Sequence, residues 1–432
     1  MSSLPPLKQG LLQLNRLSNK GTRIVVGRPA YFDQTQARTW QLSISIAGKP
    51  GDVVAVRPIF ITRNEAASNY VSSCWLSTMA NTSDLNNSGG AWVQVTRNGQ
   101  ITFPLDMAPK NGSGLRLGYT VPDWIVLPSA ARDDGGTRSL YVVRAYIEPD
   151  SLLTVGGNGT DDLTNWATKS DGRIFAFRYL TGDYVSNSTA RTNWNSGVSG
   201  YNTNQSQCPI VGLQYLLANG LVCTVGSAGD SIMDGAGGTY IGENYTSQGT
   251  YNLDGRRGVT VEASNYGWSG QGSQASTGFK ARILDILESE VAPDIMVFEL
   301  GSMNDPNPTV TTSIVNNWRY DSAVVTTACD QMGVVPIPVT VMATGYNVHP
   351  VGSSDSLRRD FNASCVGMRN LIDVATPMAG TTLASGPGTG QQEPAASLTD
   401  VIGGNIGAHP TDAGKAVLSP LVEAKLRKVI GL

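Results

Sequence analysis

Ser231 is the residue of this 432-residue chain whose setting best suits covalent chemistry. It ends the triplet Gly229-Asp230-Ser231, which closely follows a β-favouring run from Leu221 to Val225. In an open α/β sheet, ligands bind beyond the carboxyl ends of the strands, so a serine there is rigidly held and reachable. The pattern therefore predicts a serine nucleophile. Such a hydroxyl needs a base to take its proton and donors to stabilise the oxyanion that forms.

The chain contains two histidines that can serve as this base, His349 and His409. His409 lies in the segment Gly407–Gly414, before an amphipathic C-terminal helix and well after the serine. A histidine on a loop at a helix entrance can reach across a crevice and accept a hydroxyl proton. His349 follows a predicted strand and can also reach the mouth of the crevice. The sequence favours His409 and keeps His349 as the alternative.

Two segments that follow predicted strands offer donors for an oxyanion. The first is Ser264–Gly270, where the backbone amide of Gly270 can approach a substrate because no side chain stands in the way. The second is Gly301–Asp305, which puts the side-chain amide of Asn304 at the same edge of the sheet. Both donors are expected near Ser231.

Together these segments resemble the SGNH (GDSL-like) hydrolase superfamily, over about residues 219–432. The resemblance is carried by four blocks in the family's order, namely Gly229–Ile232, Tyr266–Gly270, Gly301–Asp305 and His409-Pro410. It implies Ser231 as nucleophile, His409 as general base and then acid, and an oxyanion hole made by the N–H groups of Ser231 and Gly270 with the Asn304 side chain. The family hydrolyses esters and thioesters through an acyl-serine without a metal, and often deacetylates polysaccharides. No cofactor is therefore expected.

Two positions depart from that family's pattern. The family usually has a carboxylate three residues before the histidine, where this chain has Ile406, and the nearest acid on that side is Asp400. Either Asp400 orients the imidazole from a longer loop, or a backbone carbonyl does so in a Ser–His dyad. The third block has two residues between Gly301 and Asn304 where the family has one. Either Ser302 replaces the glycine or the loop bulges.

The elements that must position these residues alternate between strand and helix from about residue 206 onward. That order implies parallel strands joined by right-handed crossover helices. We predict an α/β domain over 206–432, with a doubly wound parallel sheet in a three-layer αβα, flavodoxin-like arrangement. The predicted strands are Leu221–Val225, Val259–Ala263, Asp294–Leu300 and Val334–Met342, and the predicted helices are Thr277–Glu290, Val310–Met332, Ser356–Val374 and Thr411–Ile430.

Residues 23–205 are predicted to form an all-β sandwich, because short β runs alternate there with turn clusters and no convincing helix. A carbohydrate-binding or anchoring role is the hypothesis for this domain. Residues 1–22 are predicted to be an arm with a short helix, and the Asn-rich stretch Asp183–Gln207 a linker. The predicted strands are Trp40–Ile46, Val53–Ile61, Ala91–Thr96, Leu115–Tyr119, Leu140–Ile147 and Arg173–Tyr179.

Composition and charge narrow the classes of partner. A formal net charge of −3 provides no basic field for nucleic-acid phosphates, so nucleic acid is not expected as a partner. No apolar run approaches the roughly 18 residues of a membrane helix, and the N-terminus lacks the pattern of a secretory signal. The five cysteines include no CxxC pair, so a metal site is not expected. Charged residues at 15% and 49 glycines are typical of loop-rich β structure and sugar-facing or extracellular surfaces.

These observations predict a two-domain serine esterase that removes O-acetyl groups from a carbohydrate or polysaccharide. A lipid or small-ester acylhydrolase is the alternative among enzymes. A virion or cell-surface glycan-binding protein with a weak or vestigial hydrolase domain is the alternative from another class, favoured by the missing acid before His409 and the missing secretion signal. The expected location is extracellular, or on a virion or cell surface. The sequence predicts no oligomeric state.

Overall fold

The computed structural model describes most of the chain, with gaps. The described residues are 17–25, 29–34, 37–62, 69–80, 90–107, 117–148, 150–157, 175–185, 207–239, 243–253, 255–276, 278–306 and 309–432. Nearly all of the predicted N-terminal helix and most of the predicted linker lie outside these residues.

The chain forms two compact units. The first, called the β unit below, contains Ser18–Val222 together with Gly258–Glu262. The second, called the α/β unit, contains Cys223–Arg257 and Ala263–Leu432. The division therefore falls at 222/223, whereas the sequence analysis placed a boundary at 205/206. The difference arises because the strand Ile210–Leu217 pairs with Lys20–Ile24 and with Val53–Thr62 and so belongs to the β unit.

Antiparallel sheets make up the β unit. The strands are β1 (Lys20–Ile24), β2 (Pro29–Gln34), β3 (Arg38–Ile46), β4 (Val53–Thr62), β5 (Tyr70–Thr78), β6 (Val93–Gln94), β7 (Phe103–Pro104), β8 (Gly118–Thr120), β9 (Ile125–Val126), β10 (Ser139–Ile147), β11 (Asp150–Gly157), β12 (Phe175–Thr181), β13 (Gln207–Cys208) and β14 (Ile210–Leu217). One sheet has the order β1-β14-β4-β8, and β9 also pairs with β4. A second sheet has the order β12-β3-β10-β5-β6, in which β7 also pairs with β5, and a third has the order β13-β11-β2.

The two larger sheets of the β unit share one hydrophobic core. Trp40 and Leu42 of β3 lie in the same buried cluster as Val56 and Phe60 of β4. Burying side chains of this size stabilises a fold by about 1.5–3 kcal/mol each, so this cluster is the main source of the unit's stability. Each predicted strand of this region overlaps an observed one. Strand β5 was missed because buried serines interrupt its apolar pattern.

Parallel strands form the centre of the α/β unit. The strands are β15 (Leu221–Ala228), β16 (Val259–Asn265), β17 (Ile295–Glu299) and β18 (Val335–Val339). The sheet order is β16-β15-β17-β18, and β15, β17 and β18 run parallel. Two antiparallel pairs follow in the chain, β19 (Ala379–Thr382) with β20 (Gln392–Pro394) and β21 (Thr399–Ile402) with β22 (Asn405–Pro410). The helices are α1 (Ser231–Asp234), α2 (Tyr245–Tyr251), α3 (Phe279–Glu288), α4 (Thr312–Met332), α5 (Asp355–Ser364), α6 (Ala375–Met378) and α7 (Asp412–Ile430), with 3₁₀ turns at Arg256–Gly258 and Gly352–Ser354.

The predicted α/β character of this region is confirmed, but one predicted helix is too long. The sequence analysis extended a helix over Ser356–Val374, whereas α5 ends at Ser364. Gly367 and Asn370 have φ values of +98° and +62°, and a right-handed helix cannot contain such residues. Within the described residues, none of the helices combines the length and apolar character needed to cross a membrane.

Candidate active site

Ser231 lies at a tight turn between strand β15 and helix α1. The strand ends at Ala228, and the Asp230 side chain caps α1 by accepting the Ile232 N–H at 2.9 Å. Gly229 is required in this turn, since a Cβ there would lie 2.2 Å from a side-chain oxygen of Glu299. The turn places Ser231, which is partly exposed, as the first residue of the helix.

A chain of hydrogen bonds joins Ser231 to the two residues expected to activate it. The Oγ atom of Ser231 lies 2.9 Å from Nε2 of His409, and Nδ1 of His409 lies 2.7 Å from Oδ2 of Asp400. The other carboxylate oxygen, Oδ1 of Asp400, accepts the backbone N–H groups of Ala408 and His409 at 3.0 and 2.9 Å. One oxygen of Asp400 thus fixes the backbone that carries the imidazole, and the other faces the ring itself.

Both partners of the serine lie on one β-hairpin. Asp400 is on β21 and His409 on β22, although the sequence analysis placed His409 on a loop at a helix entrance, and that placement is wrong. Between the strands, Gly403 and Gly404 have φ values of +58° and +83°, which are typical of the two-residue turns that twist a hairpin correctly. The hairpin brings Asp400 beside His409 across nine positions of sequence.

The charge state of Asp400 follows from its surroundings. Burial opposes ionisation of this carboxyl, but hydrogen bonds from the His409 ring and from the two backbone N–H groups favour the charged form. Together with the positive charge that His409 can carry, they hold the pKa of Asp400 below its usual value. Asp400 is therefore a carboxylate at neutral pH, able to hold the imidazole in the tautomer that accepts from Ser231.

Two backbone donors near Ser231 have no acceptor among the described residues. They are the N–H of Ser231, at the first position of α1, and the N–H of Gly270. Gly270 has φ +77° and open space around it. The segment that contains Gly270 is hydrogen-bonded to the turn and helix that carry Ser231. Trp268 donates its N–H to the carbonyl of Gly229 at 3.0 Å, and the Ser269 hydroxyl donates to the Asp234 carboxylate at 2.6 Å. Both N–H groups are free to bind an anion.

The side chain of Asn304 lies between Gln271 and Asp230. Its Nδ2 atom donates to the Gln271 carbonyl at 3.0 Å and faces Oδ2 of Asp230 at a weak 3.5 Å. Ser302, in the altered third block, is buried, and its hydroxyl donates to the same Asp230 oxygen at 2.5 Å and accepts the Asn304 N–H at 3.0 Å. The block's extra residue is thus accommodated with Ser302 between Asp230 and Asn304.

Glu299 is a neighbour of the site that sequence reasoning missed. It ends strand β17, is buried, and accepts the N–H of Asp230 at 2.8 Å through Oε2. Burial, and next the charge of Asp230, raise the pKa of Glu299 well above its usual range. Burial also raises the pKa of Asp230, against hydrogen bonds from Ser302 and Ile232. An acid at the end of an otherwise apolar strand was the available signal.

His349, the alternative base, is beside the site but outside the hydrogen-bonded chain. Its loop is held against β22, where Gly345 donates its N–H to the carbonyl of Gly407 at 2.8 Å. Burial, and then the nearby His409, lower the pKa of His349. A mainly neutral imidazole therefore lies near His409, and among the described residues no hydrogen bond joins it to Ser231.

The described residues contain no cluster of three or more His, Cys, Asp or Glu side chains suited to a metal ion. The five cysteines are free and buried.

Comparison with known proteins gave similarity at the level of structure. No family model matches the sequence, and no curated protein matches it. A family two carbohydrate esterase from Clostridium thermocellum, solved with cellohexaose, is similar over 94% of this chain and 98% of its own, with 12% identity and a TM-score of 0.34. The lipase/acylhydrolase from Enterococcus faecalis is similar over 48% of this chain and 95% of its own, with 18% identity and a TM-score of 0.31.

A GDSL-like lipase from Bacteroides thetaiotaomicron is also similar, over 48% of this chain and 88% of its own, with 14% identity and a TM-score of 0.30. This lipase is described as GDSL-like, the group of hydrolases that the four sequence blocks resemble. Identities and TM-scores are low throughout, so the chemistry of this chain has to follow from its own contacts.

Proposed function

We propose that this protein is a serine ester hydrolase in which Ser231 is the nucleophile, His409 the general base and acid, and Asp400 the residue that orients the imidazole. The observation that carries this proposal is the continuous chain from Ser231 Oγ through His409 to Asp400, with distances of 2.9 and 2.7 Å. A nucleophile bonded to a base, and a base bonded to an orienting carboxylate, form the constellation that activates a serine.

The reaction proceeds in two halves. As Ser231 Oγ attacks the ester carbonyl, His409 takes its proton, and the imidazolium then gives this proton to the departing alcohol. This leaves an acyl-serine, which a water molecule hydrolyses while His409 acts again as base and then returns a proton to Ser231. Asp400 remains a carboxylate and stabilises the imidazolium in both halves.

The negative oxygen of each tetrahedral intermediate needs preorganised donors. The N–H groups of Ser231 and Gly270 supply two, because neither has an acceptor among the described residues. Asn304 supplies the third when its Nδ2 exchanges the weak 3.5 Å contact with Asp230 for the oxyanion and keeps the 3.0 Å bond to Gln271. Removing one such donor typically costs 10²–10³ in turnover.

The substrate within this proposal is an O-acetylated carbohydrate or polysaccharide. Low charge and abundant Asn and Trp support a sugar-facing surface, and the β unit, as a β-sandwich, supplies a second domain that can bind or anchor a polymer. The three-layer αβα arrangement belongs to the same proposal, as does a location outside the cell or on a virion or cell surface. A lipid or small-ester acylhydrolase is the alternative that the same site allows.

The test compares acetate release from an acetylated xylan with hydrolysis of p-nitrophenyl acetate and p-nitrophenyl palmitate. Wild type, Ser231→Ala and the control Ser313→Ala are used, since Ser313 is exposed on α4. The proposal predicts acetate release by wild type and Ser313→Ala and none by Ser231→Ala. Preference for palmitate would favour the lipid alternative, and equal background rates in all three proteins would contradict an esterase.

A further inference from the structure

Glu299 is a buried acid to which the proposed mechanism gives no role. Its side chain and that of Asp230 are both in residues only 4% exposed, and the Asp230 N–H donates to Glu299 Oε2 at 2.8 Å. Asp230 is the residue directly before the nucleophile. Two carboxyl groups are thus buried together under the turn that carries Ser231.

No ion pair compensates Glu299 within the described part of the chain. Lys280 of α3 is the buried cation on this side, and its Nζ donates to the carbonyls of Leu300 and Trp318 at 2.6 and 3.4 Å. Tyr245 of α2 is near enough to both carboxyls to feel their charges, and the charges of Asp305 and His409 act on Asp230. Two adjacent buried carboxylates without a paired cation are very costly, so the pair retains a proton.

Hydrogen-bond donors decide which carboxyl keeps that proton. Asp230 accepts the Ile232 N–H at 2.9 Å and the Ser302 hydroxyl at 2.5 Å, and faces Asn304 Nδ2 at 3.5 Å. Glu299 accepts the single N–H of Asp230. Donors stabilise a charged carboxylate, so the charge belongs on Asp230 and the proton on Glu299.

We propose that Glu299 is a positioning residue that works as a neutral carboxylic acid, holding charged Asp230 in place and, through it, Ser302 and Asn304. This rests on the proposed function, because Asn304 is the side-chain donor to the oxyanion. An ionised Glu299 would repel Asp230 and loosen Ser302, whose hydroxyl donates to Asp230 and accepts the Asn304 N–H. The Glu299 carboxyl packs against Gly229, where an added Cβ would lie 2.2 Å from its oxygen. Asp230 directly precedes Ser231, so a displaced Asp230 would also move the nucleophile.

The variant Glu299→Gln tests whether Glu299 carries a proton, because a glutamine amide resembles a neutral carboxylic acid. Its carbonyl can accept the Asp230 N–H, and its NH₂ group can donate to the Asp230 carboxylate. We expect its acylation rate with p-nitrophenyl acetate to stay within about threefold of wild type, while Glu299→Ala falls at least about tenfold, by analogy with losing an oxyanion donor. Glu288→Gln, exposed on α3, is the control. Equal losses in Glu299→Gln and Glu299→Ala, or full activity in Glu299→Ala, would overturn the proposal.

A stability measurement separates this proposal from the proposed function. An acid whose pKa is raised by folding binds more protons in the folded than in the unfolded state, so its contribution to stability falls as pH rises. We expect the free energy of unfolding of wild type to fall relative to that of Glu299→Gln as the pH rises above the ordinary pKa of a glutamate carboxyl, because folding raises the pKa of Glu299. Parallel curves would overturn the neutral Glu299, whereas a wild type that forms no acyl-enzyme would overturn the esterase and leave this stability test valid.

Discussion

At the scale of single residues, Asp400 decides whether the site is a triad or a dyad. Its carboxylate bonds the His409 ring at 2.7 Å and two backbone N–H groups. We expect Asp400→Asn to lower kcat on the order of 10⁴-fold with little change in KM, because the amide favours the wrong imidazole tautomer. Steady-state kinetics on p-nitrophenyl acetate measures this, with exposed Asp360→Asn as control. Activity within a few-fold of wild type would mean that a backbone group orients the ring instead.

Asn304 is the side-chain donor of the oxyanion hole in the proposed mechanism. Asn304→Ala is expected to lower kcat by about 10²–10³ and to leave KM nearly unchanged, because the donor acts mainly in the transition state. The matched control is Asn317→Ala, exposed on α4. A variant with raised KM and unchanged kcat would show that Asn304 binds substrate in its ground state and is not an oxyanion donor.

At the scale of elements, the β21–β22 hairpin sets the distance between acid and base. Its turn needs positive φ at Gly403, where a β-branched residue is strained and Asn is tolerated. We expect Gly403→Val to destabilise the hairpin by roughly 1–2 kcal/mol and to lower activity, and Gly403→Asn to change neither much. Thermal unfolding and kinetics of the two variants test this. Equal behaviour of Val and Asn would show that the turn does not control the Asp400–His409 pair.

Helix α3 carries a buried cation against the core. Burial lowers the pKa of Lys280 from 10.5 to about 8, against the raising effect of the charges of Asp321 and Asp305. Between these two pH values the unfolded chain binds a proton that the folded chain lacks, so stability rises with pH. We expect the free energy of unfolding of wild type to rise relative to that of Lys280→Met from pH 8 to 10.5. Denaturant titrations across this range measure it, and parallel curves would contradict a neutralised Lys280.

At the scale of the whole molecule, the reactivity of two buried cysteines measures whether the β unit unfolds as one core. Cys74 and Cys208 belong to the same hydrophobic cluster of the β unit, and burial raises the pKa of both thiols. Buried thiols with raised pKa react slowly, so native protein is expected to resist alkylation at both sites. In a denaturant series, mass mapping should show both becoming reactive at one midpoint. Clearly different midpoints would contradict a shared core.

The sequence predicted the features that depend on short stretches of chain and missed those that depend on pairing between distant segments. Ser231 and His409 were predicted as a nucleophile and its base from their settings, and the α/β character was predicted from the order of strands and helices, because both patterns are readable over short stretches. The structure brings the two side chains together, and their catalytic roles remain predictions. Strand β14 was assigned to the wrong unit, because its partners β1 and β4 lie far away in sequence. The pairing of Asp400 with His409 depends on a hairpin whose turn was not recognised. Glu299 was missed because an acid at the end of an apolar strand does not by itself show that its side chain is buried.

Direct observation of the acyl-serine tests the central claim. Wild-type protein is mixed with p-nitrophenyl acetate, quenched in acid during the burst and analysed by intact and peptide-resolved mass spectrometry, with Ser231→Ala alongside. The account predicts one acetyl group per chain on the peptide containing Ser231, a matching burst of p-nitrophenol, and neither signal in the variant. An acetyl group on another residue, or equal p-nitrophenol release from both proteins with no adduct, would contradict Ser231 as the nucleophile.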